Sequence, residues 1–277
     1  MNAPNAIAPE CDYKPFAGPT GRKRTKHQMV RLRPIALIAV LLLLWQFAVT
    51  RSPIHLLPTP WGVVTGIGDL LQHGLLFKYV VASLFRVTWG FALAVVVAVP
   101  LGLTIGWNRR AEMALNPLIQ VLRPISPLAW IPIAILWFGV GDLAAIFLIF
   151  LGCFFPLLLT AMNAVRGIPA VYINAGRNFG LSSPALVSRV LFPAVIPQLI
   201  IGMRITLGVG WLVVVAAEMI AVSSGLGFLI VDARNAGNRY DLVVAGMVII
   251  GLIGLLLDLG MRSLQQVKSL RWSYSED

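Results

Sequence analysis

Residues 174–193 read Asn-Ala-Gly-Arg-Asn-Phe-Gly-Leu-Ser-Ser-Pro-Ala-Leu-Val-Ser-Arg-Val-Leu-Phe-Pro and lie between long apolar runs. Two arginines, two glycines and two prolines fall within this short stretch. In a chain that is 58% hydrophobic, a polar island of this kind indicates a place where a membrane protein emerges into water. The alternative is an ordinary solvated loop with no partner.

The polar stretch carries start and stop signals for two short helices, predicted at roughly 169–179 and 184–192. Gly180 suits the left-handed residue that often ends a helix. Ser182 or the serine after it can cap the second helix, and Pro184 suits the first helical position, where its missing N–H has no partner to lose. The pattern therefore predicts a helix pair around a tight glycine turn.

The spacing within this stretch resembles a cytoplasmic loop of the membrane subunits of bacterial ABC importers. That loop has the form Glu-Ala-Ala, three residues, Gly, nine residues, Ile-x-Leu-Pro. The matching segments here are Asn174-Ala175-Gly176, Gly180 and Val190-Leu191-Phe192-Pro193, and both spacings fit. Asn174 stands where the family has an acidic residue, so no carboxylate is available at that position. In the family this loop docks into a groove on the ATPase subunit.

The resemblance assigns ATPase coupling to the residues that match or flank the loop motif. These residues are Asn174, Ala175, Gly176, Arg177, Gly180, Leu181, Ser182, Pro184, Val190, Phe192 and Pro193. Because Ala175 and Gly176 are small, we expect them to let the first helix sit close to the surface of the partner.

From about Ser83 to Trp272 the chain is similar to the nitrate/sulfonate/taurine branch of these permeases. The matching segments are Ser83-Leu84-Phe85-Arg86-Val87, Pro100-Leu101-Gly102, Ala217-Glu218-Met219 and Gly225-Leu226-Gly227-Phe228-Leu229-Ile230. The resemblance implies an all-α integral membrane fold, the six-span transmembrane domain of a type I ABC importer with a cytoplasmic coupling helix pair.

The same resemblance implies the assembly and its cargo. Two copies of the chain would join two ABC ATPase subunits, and a periplasmic or lipid-anchored solute-binding protein would deliver a small anion such as a sulfonate, taurine or nitrate. ATP and Mg would bind the partner ATPase, so this chain would carry no cofactor of its own.

The composition independently indicates a membrane protein. Of 277 residues only 12% are charged, against about 25% in soluble domains, and the mean hydropathy is +0.84. The net charge of +11 could suggest nucleic acid, but most charges lie at the ends of apolar runs, where orientation signals occur. We therefore expect a lipid bilayer and no nucleic acid as partner. Cys11 and Cys153 lie in unlike segments and imply no disulfide framework.

The apolar runs predict three regions and six spans. A disordered basic tail covers 1–33, the transmembrane domain 34–264 with its coupling segment at 169–193, and a second tail 265–277. The spans are expected at about 34–49, 80–107, 115–138, 143–165, 196–222 and 242–264. A cleaved signal peptide is the alternative for the first run. An amphipathic helix at 61–72 would lie at the membrane surface or pack on the outer end of the bundle.

Lysines and arginines predict the orientation. With a cytoplasmic N-terminus, the inside segments hold the basic tail together with Arg109, Arg110, Arg166, Arg177, Arg189, Lys268 and Arg271. The outside segments hold Arg51, Lys78, Arg234 and Arg239. This bias predicts a multi-pass protein of the bacterial inner membrane with both termini and the coupling segment in the cytoplasm.

Several functional classes lack their signature. The pattern G-x-x-x-x-G-K-[S/T] does not occur, so ATP would have to bind another polypeptide. The histidines are scattered without metal-ligand spacing, and no Ser-His-Asp set can be assembled, so we expect no catalytic residue and no metal site. A secondary transporter or channel that works alone remains the main alternative, followed by a membrane-bound enzyme or assembly factor.

Four ionisable residues fall inside the predicted spans, where they are costly and usually face the bundle interior or a partner. By depth they form an outer pair, Arg86 with Glu218, and an inner pair, Arg204 with Asp258. Each pair is either a structural ion pair or part of a charged gate. A fifth, Arg123, lies beside Pro124 within the third span, which indicates that this span begins elsewhere.

Two glycines, Gly225 and Gly227, follow the fifth span and permit a close backbone approach or a re-entrant turn. They belong either to a flexible outer loop or to the pathway, and with the four charged residues they complete the set of pathway or gate candidates.

Overall fold

The computed structural model describes residues 24–51, 57–235, 237 and 239–265, and these ranges contain helices without a β-strand. The α-helices are α1 (Arg24–Arg51), α2 (Pro60–Gln72), α3 (Leu75–Trp107), α4 (Arg109–Leu122), α5 (Ile131–Phe138), α6 (Asp142–Arg166), α7 (Ala170–Asn178), α8 (Ser183–Leu186), α9 (Phe192–Glu218), α10 (Leu226–Asn235) and α11 (Tyr240–Gln265). A 3₁₀ helix at Pro127–Trp130 precedes α5, and a π-helix at Val187–Leu191 joins α8 to α9.

The chain divides into two compact units at Arg51, and α1 belongs to the first. This helix begins at Arg24, inside the segment predicted to be a disordered tail. Its apolar part, Ala36–Arg51, falls short of the ~20 residues that usually cross a bilayer. The rest of the predicted N-terminal tail, 1–23, and residues 266–277 lie outside the described residues.

Four helices of the second unit are long and apolar enough to cross a membrane. They are Leu75–Trp107, Asp142–Arg166, the combined helix Ser183–Glu218, and Tyr240–Ser263. These helices correspond to the second, fourth, fifth and sixth predicted spans.

The predicted third span is not one continuous helix. Helix α4 and the segment Pro127–Phe138 meet at an angle of 81°, and only together do they have the length and apolarity of a span. Pro124 and Pro127 lack the N–H donors that would continue the helix, and Ser126, the residue before Pro127, is extended with ψ 133°, so the helical run is interrupted between α4 and Pro127. The arrangement is a broken span or a re-entrant loop.

Helix α6 lies between α3 and α9, and small residues bring the three helices close together. A Cβ atom added at Gly102 of α3 would lie 2.6 Å from the carbonyl oxygen of Leu158, and one at Gly106 would lie 2.9 Å from that of Met162. A Cβ atom added at Gly210 of α9 would lie 2.8 Å from Sγ of Cys153 in α6. These contacts make α6 the central helix of the described bundle.

Helix α2 packs against α11 and α3, which agrees with the alternative of a helix packed on one end of the bundle, and its predicted position at the membrane surface stays a prediction. Gly66 of α2 lies against Leu242 of α11. Arg239 donates hydrogen bonds to Asp241 at 2.7 Å and to Asp69 of α2 at 3.1 Å. The hydrogen bonds to Asp241 and then to Asp69 raise the pKa of Arg239, so the guanidinium stays charged and ties α2 to α11.

Candidate functional site

The coupling segment, 169–193, is built around Gly180. The N–H of Gly180 donates to the carbonyl of Arg177 at 2.9 Å, and the N–H of Leu181 donates to that of Gly176 at 3.1 Å. This is the hydrogen-bond pattern of a Schellman motif, which requires a left-handed residue, and Gly180 has φ +75°. The prediction that Gly180 ends the first helix is confirmed.

The second helix of the coupling segment is not the separate short element that the sequence predicted. Ser182 occupies the N-cap position of α8, but its side chain makes no capping bond. From Ser183 the chain runs through the π-helix into α9, so the fifth span begins well before the predicted residue 196. The glycine turn is thus attached directly to a span.

Gly176 and Ala175 differ in their surroundings. Gly176 is buried, and an added Cβ would lie 2.6 Å from Leu186 Cδ1. The expectation that Gly176 faces a partner is therefore wrong, because it faces the other helix of the same turn. Ala175, Leu181 and Val190 are half-buried. The remaining predicted coupling residues are exposed: Asn174, Arg177, Gly180, Ser182, Pro184, Phe192 and Pro193.

An exposed apolar surface on the coupling segment was not predicted. Val171 and Tyr172 are exposed on α7, and Phe179, at the turn, is 86% exposed. The opposite, covered side of the segment contains Leu186 and Leu191. Exposed apolar side chains on a short polar hairpin are typical of a surface that another protein covers.

The predicted outer pair is confirmed and lies within a larger group that we call the Glu218 cluster, in which Ser83, Arg86 and Glu218 are buried, Ser224 is half-buried and Asp142 is exposed. Arg86 of α3 and Glu218 at the end of α9 are 2% and 0% exposed. Nη1 of Arg86 lies 2.7 Å from Oε1 of Glu218. The guanidinium also donates to Asp142 at the start of α6 and to the backbone carbonyl and hydroxyl of Ser224.

The second oxygen of Glu218 is also satisfied. Oε2 accepts hydrogen bonds from the hydroxyl of Ser83 at 2.8 Å and from the N–H of Gly227 at 3.0 Å. The hydroxyl of Ser83 in turn accepts from the N–H of Leu226. Among the described residues no buried side-chain nitrogen or oxygen lacks a partner. The cluster therefore fixes the loop after α9 against α3.

Gly225 and Gly227 are the glycines that this loop requires. Gly225 has φ +108°, and an added Cβ would overlap the Glu218 carboxylate. A Cβ at Gly227 would overlap the carbonyl of Val215 and lie 2.8 Å from Glu218 Cβ. The flexible-loop alternative is wrong here, because both glycines are packed tightly around the carboxylate.

Sequence reasoning missed three members of the Glu218 cluster. Ser83 precedes Arg86 by three residues and so shares its helix face, a spacing that could have identified it. Asp142 and Ser224 lie at a helix start and in a loop, where helical spacing gives no information.

The predicted inner pair is also confirmed. Nε and Nη2 of Arg204 lie 2.6 and 2.8 Å from the two carboxylate oxygens of Asp258, a two-pronged contact between α9 and α11. The side chains are 26% and 43% exposed, so the pair lies at the surface of the chain. It borders a groove of about 410 Å³ that is otherwise lined by apolar residues and Trp211.

Comparison with known proteins identifies relatives across most of the chain. The sequence profile of the family described as "Binding-protein-dependent transport system inner membrane component" matches residues 98–271. A putative ABC transporter permease protein of Methanocaldococcus jannaschii is 40% identical, with 78% of each chain covered. The taurine transport system permease protein TauC of Escherichia coli is 35% identical over 84% of this chain and 86% of its own.

A nitrate import permease protein and a solved transporter extend the comparison. NrtB of Synechocystis sp. is 36% identical over 82% of this chain and 85% of its own. A chain of the inward-facing MetNI methionine ABC transporter superposes with a TM-score of 0.63 at 20% identity, covering 69% of this chain and 95% of its own. The solved structure supports the fold, and the curated sequences support the family.

Proposed function

Because the chain belongs to the family of binding-protein-dependent transport system inner membrane components, we propose that it forms the pathway by which an ATP-driven importer carries a small anion. The chain is a permease subunit of an ABC importer, has the fold of a type I importer transmembrane domain, and is not an enzyme. The identity of the cargo, the partners and the orientation are the parts that we propose.

The relatives support an oxyanion as cargo. One is named for taurine and another for nitrate, and the sulfonate of taurine and nitrate itself both present negatively charged oxygens. A solute-binding protein, periplasmic or lipid-anchored, would deliver the anion, and two copies of this chain would enclose it.

The observation that supports the coupling role is the coupling segment, 169–193, with its turn at Gly180 and its exposed apolar side chains. A partner ATPase, which binds ATP and Mg, would cover Phe179 and Val171 and move the hairpin during its cycle. Since α8 continues into α9, this movement would reach a span without an intervening flexible joint.

The charge distribution supports a cytoplasmic position for the hairpin. Arg109 and Arg110 begin α4, and Arg166 ends α6 next to the coupling segment. In the proposed orientation the N- and C-termini are cytoplasmic. Ser182→Cys should then react with an impermeant thiol reagent only from the cytoplasmic side, and Asn235→Cys only from the opposite side.

Co-purification tests the coupling role. We expect an ATPase subunit to purify with the chain in mild detergent, and Phe179→Ser to reduce its amount strongly while leaving the permease at normal abundance. Phe77→Ser is the matched control, because Phe77 is 76% exposed but lies at the other end of the bundle, near the start of α3. Equal ATPase recovery from both variants, or uptake that needs no ATP, would contradict the proposal and favour a transporter that works alone.

A further inference from the structure

A cavity of about 450 Å³ lies at the bend of the broken span, away from the Glu218 cluster. Its lining residues are Asn116, Ile119, Gln120, Arg123, Pro124 and Leu159. Helix α4 supplies three of these residues, the two residues after its end supply two more, and Leu159 of α6 supplies one wall. The bend opens this space because the chain turns by 81° between α4 and the segment that follows.

Three hydrogen-bond donors share one face of α4 and its end. Asn116, Gln120 and Arg123 are spaced by four and three residues, which places them above one another on a helix. An arginine side chain offers five N–H donors in a planar fork, and each amide offers two more. The lining contains one arginine and no carboxylate, so its net positive charge favours an anion over a cation, although the two amides could donate to the one or accept from the other.

Arg123 differs from three other arginines of the bundle, which form ion pairs. Arg86 and Arg204 each bind a carboxylate of a neighbouring helix, and Arg166 binds Glu112. Among the residues that the structure describes, no carboxylate lies within ion-pair distance of Arg123, and its guanidinium makes no hydrogen bond. Arg123 is exposed and lines the cavity, and it lies between the two parts of the broken span.

The backbone at the bend is compatible with a water-filled site. The N–H of Ile125 donates to the carbonyl of Leu122, and the N–H of Leu128 donates to the hydroxyl of Ser126. Non-helical backbone at membrane depth is tolerated where it is buried in protein or lines a water-filled cavity. A polar cavity at a proline-broken helix satisfies that condition.

We propose that this cavity binds an oxyanion, with Arg123 as the charged donor and Asn116 and Gln120 as neutral donors. The occupant is either a free oxyanion, which on the proposed function would be the cargo during its passage, or the phosphate of a lipid headgroup. Both present several negatively charged oxygens to the same donors, so the chemistry is shared and the experiment must distinguish the source.

The test uses the full chain purified in a nonionic detergent. Sodium nitrate and sodium methanesulfonate are the probes, sodium chloride is the reference, and the thermal unfolding midpoint and the phospholipid phosphorus per chain are measured. For a free oxyanion, the probes should raise the unfolding midpoint of the original chain. Their apparent affinity for Arg123→Gln should be lower by about tenfold or more. For a lipid phosphate, the probes should have no effect, and Arg123→Gln should lose phospholipid phosphorus.

Two further variants keep the test decisive. Arg110→Gln is the matched control, because it removes an exposed arginine from the same helix but outside the cavity, and it should behave like the original chain. Gln120→Leu removes a neutral donor and leaves the charge, so it should weaken binding less than Arg123→Gln. If Arg123→Gln and Gln120→Leu match the original chain in both probe binding and phospholipid content, the inference is wrong.

The experiments distinguish a failure of the proposed oxyanion site from a failure of the proposed importer function. If the original chain carries out ATP-driven uptake and Arg123→Gln binds the probes and phospholipid unchanged, the proposed oxyanion site is wrong and the proposed importer function stands. Arg123-dependent binding by a chain that recruits no ATPase would support the site and contradict the coupling role.

Discussion

Glu218 Oε1 lies 2.7 Å from Nη1 of Arg86, although the two residues are 132 positions apart in the chain. Both side chains are almost fully buried, and the carboxylate also accepts hydrogen bonds from Ser83 and Gly227. A buried ion pair is favourable only when its remaining donors and acceptors are satisfied, and here they are. The pair therefore holds α3, the end of α9 and the following loop in one arrangement.

Removal of either partner of this pair should be strongly destabilising. Arg86→Ala leaves the buried Glu218 carboxylate without a counterion, which typically costs ~3–5 kcal/mol of unfolding free energy, whereas Glu218→Ala leaves the buried guanidinium with the exposed Asp142 as its only counterion among the described residues and should cost less. The double variant should lose less than the sum of the two, as measured by denaturant unfolding in detergent. Arg239→Ala is the control, because its half-exposed ion pairs should contribute about 1 kcal/mol or less. Additive losses in the double variant would show that the two side chains do not stabilise one another.

Gly227→Ala should destabilise the chain through overlap with the backbone. The added Cβ would meet the carbonyl of Val215, and overpacking of this kind costs about 1–3 kcal/mol. Gly251→Ala is the matched control, since nothing lies within 4 Å of the added atom in α11 and the helix should gain about 0.5–1 kcal/mol. Thermal unfolding of the two variants gives the comparison. Equal midpoints would mean that the loop after α9 can move away from Glu218.

The pair between α9 and α11 should tolerate exchange of its charges. In the part of the chain that the structure describes, Arg204 and Asp258 hydrogen-bond only to one another and are partly exposed, so exchange of the charges leaves no other hydrogen bond broken, although Arg262, four residues after Asp258, should make the recovery partial. Arg204→Asp and Asp258→Arg should each reduce membrane abundance and uptake, and the double exchange should restore both in part. Failure of the double exchange to improve on either single variant would indicate that the groove beside the pair requires an arginine on α9.

Gly180→Val should separate coupling from folding. Nothing lies within 4 Å of an added Cβ at this position, so only the positive φ opposes a side chain. A left-handed conformation costs non-glycine residues ~1–2 kcal/mol, more for β-branched ones and less for Asn. We expect Gly180→Val to reach the membrane normally but lose ATPase binding and ATP-driven uptake, whereas Gly180→Asn should retain much of both. Identical behaviour of the two variants would exclude backbone geometry as the determinant.

The parts of the structure that the sequence predicted correctly are those that depend on single residues or on depth within a span. Gly180 was identifiable because few residues adopt a positive φ at a helix end. The pairs Arg86–Glu218 and Arg204–Asp258 were identifiable because charges at matched depth in an apolar bundle have few other counterions.

The features that were not predicted depend on how helices end and bend. Asp142 joins the Glu218 cluster only because the start of α6 lies beside α3, a relation that spacing along the chain does not contain. The prolines around 124–127 indicated a weakened third span, but they did not determine the 81° angle between its two parts. The second coupling helix was predicted to end at about residue 192 and the fifth span to begin at 196, yet Pro193 lies in the first turn of α9, which continues from the π-helix.

The π-helix at Val187–Leu191 sets how the turn of the coupling segment is rotated around the axis of α9. The N–H of Phe192 donates to the carbonyl of Val187, so this turn holds one residue more than an α-helical turn. Each residue of an α-helix advances the chain by about 100° around its axis. Deletion of Ser188 would therefore convert the π-helical turn to an α-helical one. It would rotate Phe179 by about 100° around the axis of α9. The additional residue therefore sets the rotation of the proposed docking face, which contains Phe179, relative to the fifth span.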